Sequence, residues 1–300
     1  MNKFSAQLSS TKAAIRFDII GGPERDKLVE DDTFLNYRLA DVKVSTDIIK
    51  EKPDIIWYFD EEPKNIKFEN DQLILSGLWE EGELNKIMVT MLANEMDKRG
   101  LHPFHSSSVI YRGKMIFLIG GENNHGKSMS QLEACRRGAE VFSTETTVTD
   151  DSGLCLYGSK NTYIRKRAKG TERSDLPDQD EGVAKFFDTE PEIKMNYDAR
   201  KVDLAIVPSI DGHFDTQVSS LGQFEAAYQC FHSLMNFFGL NQLLDGEHGL
   251  VMPIVDTDAR RQERGEFCSE FVSQFPTYLM RAKTPQIIFD EIDKILDAQK

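Results

Sequence analysis

The spacing of apolar positions along the chain predicts strands and helices in alternation. In Ile15-Arg16-Phe17-Asp18-Ile19-Ile20 and Ile55-Ile56-Trp57-Tyr58-Phe59 the alternation suits half-buried strands. Ile66-Lys67-Phe68 and Leu73-Ile74-Leu75 bracket the polar Glu69-Asn70-Asp71-Gln72, the pattern of a hairpin. From Glu83 to Arg99 the period changes: Leu84, Ile87, Met88, Met91, Leu92 and Met96 recur at three- and four-residue intervals, which predicts a helix with one buried face, stopped by Gly100. Such a stripe of methionines reads as packed core rather than as a ligand surface.

Met115-Ile116-Phe117-Leu118-Ile119 is different again, a wholly apolar run of strand length, as expected of a central strand covered on both faces. It leads into a glycine-rich segment, after which Ser128 to Arg137 reads as a helix with Gly138 as its stop, and Val141-Phe142 opens another strand. Leu154 to Ala168 reads as a strand pair turning at Gly158-Ser159-Lys160-Asn161. Lys169 to Gly182, charged and rich in Gly, Pro and Asp, reads as a mobile loop. Val202–Val207 is a further apolar strand, and Gln223–Phe238 and Ile287–Ala298 are predicted helices. No internal repeat interrupts this order.

Composition narrows the function classes. Three hundred residues suffice for one large domain or two modest ones, each with its own core. No stretch approaches the roughly 20 apolar residues of a membrane span, so no membrane association is expected. Met1 to Ser5 run into mixed polar positions rather than an apolar secretory segment, which predicts a cytoplasmic location. A formal charge of −14, with acids spread along the whole chain, argues against a nucleic-acid partner. Cys135, Cys155, Cys230 and Cys268 form no C-x-x-C pair and read as reduced thiols, mostly core.

The chemistry lies in the glycine-rich segment. Gly121-Glu122-Asn123-Asn124-His125-Gly126-Lys127-Ser128 matches G-x-x-x-x-G-K-[ST] at every fixed position and sits between an apolar strand and a helix, the context that this phosphate-binding loop requires. Its glycines let successive N–H groups face phosphate oxygens, and the helix N-terminus adds partial positive charge. Residues Gly121 through Met129 are therefore expected to cradle the polyphosphate of ATP, with Lys127 on the β/γ-phosphates and Ser128 holding Mg2+.

Leu101-His102-Pro103-Phe104-His105-Ser106-Ser107-Ser108-Val109, then this loop, then Arg136-Arg137-Gly138, in that order and spacing, resemble the catalytic domain of HPr kinase/phosphorylase and its relatives. The resemblance covers about residues 101–240 and implies a PEP-carboxykinase-like α/β core. It also implies phosphoryl transfer from ATP, commonly to a hydroxyl. On this reading residues 101–300 form the P-loop kinase-like catalytic domain and residues 1–100 an N-terminal α+β accessory region. His105 corresponds to the family's histidine before the loop, beside the γ-phosphate. The family's aspartate pair, which serves magnesium and the attacking hydroxyl, falls on Thr144-Glu145. Glu145 is thus the expected second metal ligand or base, and Lys127 and His105 complete the catalytic set.

Thr144 departs from the family pattern, because a threonine binds metal weakly and does not act as a base near neutral pH. Asp150, Asp151 and His105 are the candidates to compensate. The acceptor is expected to be a small-molecule hydroxyl or a peptide or protein serine. The alternative is a nucleotide-binding regulator or assembly protein that has lost turnover. A homo-oligomer is left open.

Other charged groups have plainer readings. Arg136 and Arg137 oppose the negative end of their helix. Arg165 and Arg167 share one strand face. Arg260-Arg261-Gln262-Glu263-Arg264 reads as a solvated helix face, and His232 and His248 have no metal-ligand spacing, so no structural metal is expected.

Overall fold

The computed structural model describes residues 2–120, 125–164, 183–187, 190–240 and 249–298, with the backbone alone for 163–164 and 183–186. It is a mixed α/β structure in two compact units, Met1–Pro103 with Phe237–Gln262, and Phe104–Asn236 with Glu263–Lys300.

The first unit holds β1 (Lys3–Ser10), β2 (Ala13–Ile20), α1 (Thr33–Arg38), β3 (Val42–Ser45), β4 (Ile55–Tyr58), β5 (Asn65–Glu69), β6 (Gln72–Ser76) and α2 (Glu81–Asp97). Its strands form one sheet in the order β3-β1-β2-β4-β6-β5. The expected hairpin is β5–β6, turned by Asn70 and Asp71 at φ of 52° and 62°, the left-handed pair that two-residue hairpin turns favour. The expected helix is α2, opened by a capping box in which the Glu80 amide bonds Glu83 Oε2 at 2.9 Å. Leu84, Ile87, Met88, Met91, Leu92 and Met96 are all buried, each contributing about 1.5–3 kcal/mol of burial free energy. Gly100, at φ 67°, follows its end.

Residues 237–262 were expected with the catalytic region and instead belong to this first unit. Side chains of its helices capture them. Thr90 Oγ1 donates to the Gly239 carbonyl and Asn94 Nδ2 to that of Val255, both at 3.3 Å, and the Arg38 guanidinium lies 4.9 Å from the centre of the Phe237 ring.

β7 (Leu101–His105) leads from the first unit into the second. There follow β8 (Ser107–Tyr111), β9 (Lys114–Leu118), α3 (Lys127–Arg136), β10 (Glu140–Ser143), β11 (Thr146–Asp150), β12 (Leu154–Gly158), β13 (Asn161–Ile164), β14 (Val183–Phe186) and β15 (Arg200–Lys201). β16 (Leu204–Ile210), β17 (Gln217–Ser220), α4 (Gln223–Met235), α5 (Asp258–Val272), β18 (Thr277–Ala282) and α6 (Pro285–Ala298) complete the chain. Among the described residues the main sheet runs β10-β8-β9-β16-β18-β17, and a second runs β15-β12-β11-β7. β12 and β13, expected to pair with each other, do not: β12 pairs with β11 and β15, and β13 forms a ribbon with β14. The 159–160 turn passes the chain between sheets instead of folding it back.

β9 explains its own apolar sequence. Ile116 and Leu118 face a core shared with Ala134 of α3 and with Ile288, Phe289 and Ile292 of α6. Phe117, on the opposite face by strand alternation, packs edge-on against Phe104 (5.5 Å) and Phe271 of α5 (5.9 Å).

The four cysteines are free. Burial pushes the thiols of Cys155 and Cys268 up to about 12 and that of Cys135 up to about 11, and burial followed by the neighbouring Cys268 raises Cys230 well above its ordinary value. A shift from 9 to about 12 lowers the thiolate fraction at pH 8 roughly a thousandfold. Iodoacetamide at pH 8 is therefore expected to label the native protein slowly, half-buried Cys135 first, and all four cysteines on unfolding. Rapid native labelling of Cys155 or Cys268, read by peptide mass spectrometry, would contradict this packing.

Candidate functional site

Strand direction gathers the candidate residues at one edge of the main sheet. β9, β16 and β18 are mutually parallel, and β10 shares their direction because both β9 and β10 run antiparallel to β8. Their C-terminal ends therefore lie together, the place where open α/β sheets bind ligands. Register fixes the neighbours: Ser107 opposes Leu118 and Ser108 opposes Ser143. The chain before Ser107 carries His105, the chain after Leu118 leads to the glycine loop, and the chain after Ser143 carries Thr144 and Glu145.

Gly121, Glu122, Asn123 and Asn124 lie outside the described residues. His125 is exposed, and its carbonyl accepts the Ile210 amide at 3.2 Å, which ties the loop to the end of β16. Gly126 has φ 104°, and a Cβ there would meet Ile210 Cδ1 at 2.7 Å, so both backbone angle and space demand glycine. Lys127 is buried and its Nζ donates to the Gly120 carbonyl at 3.0 Å. Ser128 is half-buried and Met129 is 44 % exposed on the first turn of α3. The first helical hydrogen bond runs from the Ser130 amide to the Gly126 carbonyl at 2.8 Å, so the amides ahead of it belong to the donor-rich start of the helix.

His105 and Glu145 meet directly. Nε2 lies 3.2 Å from Glu145 Oε2, with both residues buried. An ionised carboxylate only accepts, so this contact holds one proton between the two groups. Thr162 Oγ1 reaches Glu145 Oε1 at 3.5 Å, and Ser233 of α4 donates to the His105 carbonyl at 2.8 Å. Around them lies a sealed layer of hydroxyls. Thr147 Oγ1 is within 2.6–2.8 Å of the Oγ atoms of Ser106, Ser108 and Ser143. One donor proton and two lone pairs on Thr147 satisfy all three contacts.

No protein-family model matches this chain, and no curated protein matches it. The reading of the site therefore rests on its geometry.

Thr144 is fully buried, and its hydroxyl donates to the Asn161 carbonyl at 2.5 Å, with the Ser159 carbonyl at 3.1 Å. Its oxygen is committed to the protein, which removes the weak metal-ligand role open to a threonine. Asp150 does not compensate. It lies at the opposite end of β11, about 13 Å along the strand from Thr146, where Oδ1 accepts the Ser152 and Leu154 amides in a turn. Among the described residues no cluster of three or more His, Cys, Asp or Glu is arranged to hold a metal ion.

The basic candidates resolve separately. Arg137 pairs with Glu133 (2.9 Å), Asp290 (2.8 Å) and Asp293 (3.1 Å), tying the end of α3 to α6. Burial works against its charge, but these carboxylates outweigh it and raise its pKa. Arg136 is 3.6 Å from Glu133. Arg264, expected on a solvated face, is fully buried at 1 % exposure. Arg165, Arg167, His248 and the 169–182 loop lie outside the described residues.

Sequence reasoning passed over Gln131 and Ser159. Gln131 Nε2 donates to the Ser143 carbonyl at 2.6 Å, linking the loop helix to the strand that leads to Glu145. Its spacing of four from Lys127 and three from Ala134 places it on the inner helix face, a signal that could have found it.

Proposed function

We propose that the second unit is an ATP-dependent kinase of the HPr-kinase-like, PEP-carboxykinase-related kind, acting on a hydroxyl. The observation that carries this reading is the buried His105–Glu145 pair on the same sheet edge as the start of α3. Lys127 and the loop amides would hold the polyphosphate, Ser128 would supply a hydroxyl to its magnesium ion, and Glu145 would supply a carboxylate. Magnesium would neutralise charge on the β- and γ-phosphates. In the transfer, the acceptor oxygen bonds to the γ-phosphorus and the bond to the β–γ bridging oxygen breaks, leaving ADP. The acceptor proton passes to the Glu145 carboxylate, whose orientation His105 maintains. A small-molecule hydroxyl or a peptide or protein serine fits this chemistry.

Thr144 supports a second reading, a nucleotide-binding regulator without turnover, because the position that would carry a second carboxylate is spent on the protein's own carbonyls. Incubation with ATP, magnesium and a panel of hydroxyl metabolites and serine peptides, followed by ³¹P NMR, separates the two. Transfer is expected to give a new phosphomonoester signal, slowed at least a hundredfold in Glu145→Gln, in line with loss of a general base. ATP binding with no transfer across the panel, and no change of affinity in Glu145→Gln, would favour the regulator.

A further inference from the structure

Resting on the phosphoryl-transfer reading of this edge, we infer that Ser159 is the positioning residue of Glu145. Four hydrogen bonds join Ser159 to backbone groups of the segment Thr144-Glu145-Thr146, thirteen to fifteen positions away in sequence. The amides of Glu145 and Thr146 both donate to Ser159 Oγ, at 3.0 and 2.9 Å. The Thr144 amide donates to the Ser159 carbonyl and the Ser159 amide to the Thr146 carbonyl, both at 2.9 Å.

Counting donors shows that the arrangement is saturated. A serine oxygen has two lone pairs and one proton. Both lone pairs take the two amides, and the proton is directed to Thr144 Oγ1 at 3.1 Å, whose own proton goes to the Asn161 carbonyl. Thr144, Glu145, Thr146 and Ser159 are all buried, so no water stands ready to replace a missing partner among them. Two consecutive amides converging on one oxygen fix the backbone on both sides of Glu145, and with it the direction of the carboxylate toward His105.

This gives Thr144 a purpose that the missing carboxylate obscured. It is the outer member of the clamp, and a longer, charged aspartate in its place would put a carboxylate against two carbonyl oxygens. Ser159 thus acts through Glu145 and would touch neither the nucleotide-bound cation nor the acceptor itself.

The test is calorimetry of ATP binding to the full chain, with and without magnesium. In S159A the gain in affinity brought by magnesium is expected to fall about tenfold, while magnesium-free affinity stays within twofold. E145Q should lose the same gain, and the double variant should lose no more, a non-additivity that a merely structural serine would not produce. Exchange of the Glu145 and Thr146 amides should accelerate at least tenfold in S159A. S159C, which keeps the shape but accepts hydrogen bonds weakly, should fall between wild type and S159A, and it decides the matter if S159A does not fold.

If E145Q removes the magnesium gain and the serine variants keep it, the positioning role is overturned and the site reading stands. If the wild-type chain binds no ATP, or gains nothing from magnesium that E145Q removes, the site reading falls and this inference with it.

Discussion

Lys127→Ala is expected to weaken ATP binding at least a hundredfold, about 3 kcal/mol, while leaving the fold in place. The lysine is buried at the start of α3, and its ammonium donates to the Gly120 carbonyl at the head of the loop. Cutting it back to alanine removes the one fixed cation of the loop from the β/γ-phosphates. Within the protein it deletes the hydrogen bond to the Gly120 carbonyl, a loss of about 1 kcal/mol. Affinity and stability should therefore separate: calorimetry should register the loss, and the thermal midpoint should move by only a few degrees. A folded variant with wild-type affinity for ATP would remove the phosphate-binding assignment altogether.

The second large effect is expected on stability. A Cβ added at Gly158 would lie 2.2 Å from Ser143 Cβ and 2.5 Å from the Thr146 carbonyl oxygen. Neither neighbour is the flexible end of a long side chain, so Gly158→Ala must displace strand against strand, at about 3 kcal/mol or more. The displaced segment is the one that carries Glu145, so the melting temperature and the nucleotide site should suffer together.

Gly265 is the matched control. It lies inside α5, and a Cβ there meets nothing within 4 Å. Gly265→Ala should stabilise the protein by about 0.5–1 kcal/mol through helix propensity alone. Denaturant titration of the two variants is expected to give shifts of opposite sign. Equal tolerance of both substitutions would mean that β12 does not pack against the 143–146 turn.

What the sequence made legible was what local periodicity encodes. The apolar stripe of α2, the unbroken apolar run of β9 and the Asn70-Asp71 turn each carry their instruction within a few residues. β18 was missed because Thr277-Tyr278-Leu279-Met280-Arg281-Ala282 alternates weakly, and edge strand β17 because Gln217-Val218-Ser219-Ser220 is mostly polar. The loop motif gave Lys127 and Ser128 directly, whereas His105 and Glu145 came from a resemblance, and the structure sets those two 3.2 Å apart.

Ser159 and Gly158 looked like an ordinary turn. Their importance lies in contacts with residues 143–146, and a single sequence carries no mark of which distant strand a glycine must admit. The same limit applies to residues 237–262. Their capture by the first unit depends on polar groups of α2 meeting distant carbonyls, a pairing without a local pattern.

The clamp around Glu145 is made of hydroxyls and backbone amides, without a formal charge among its donors. On the proposed reading, mobile ions would screen the attraction between Lys127 and an incoming phosphate, but they have little hold on buried neutral dipoles. Ionic strength would thus govern how readily the nucleotide is captured, while the aim of the carboxylate that awaits it stays constant from dilute buffer to concentrated brine.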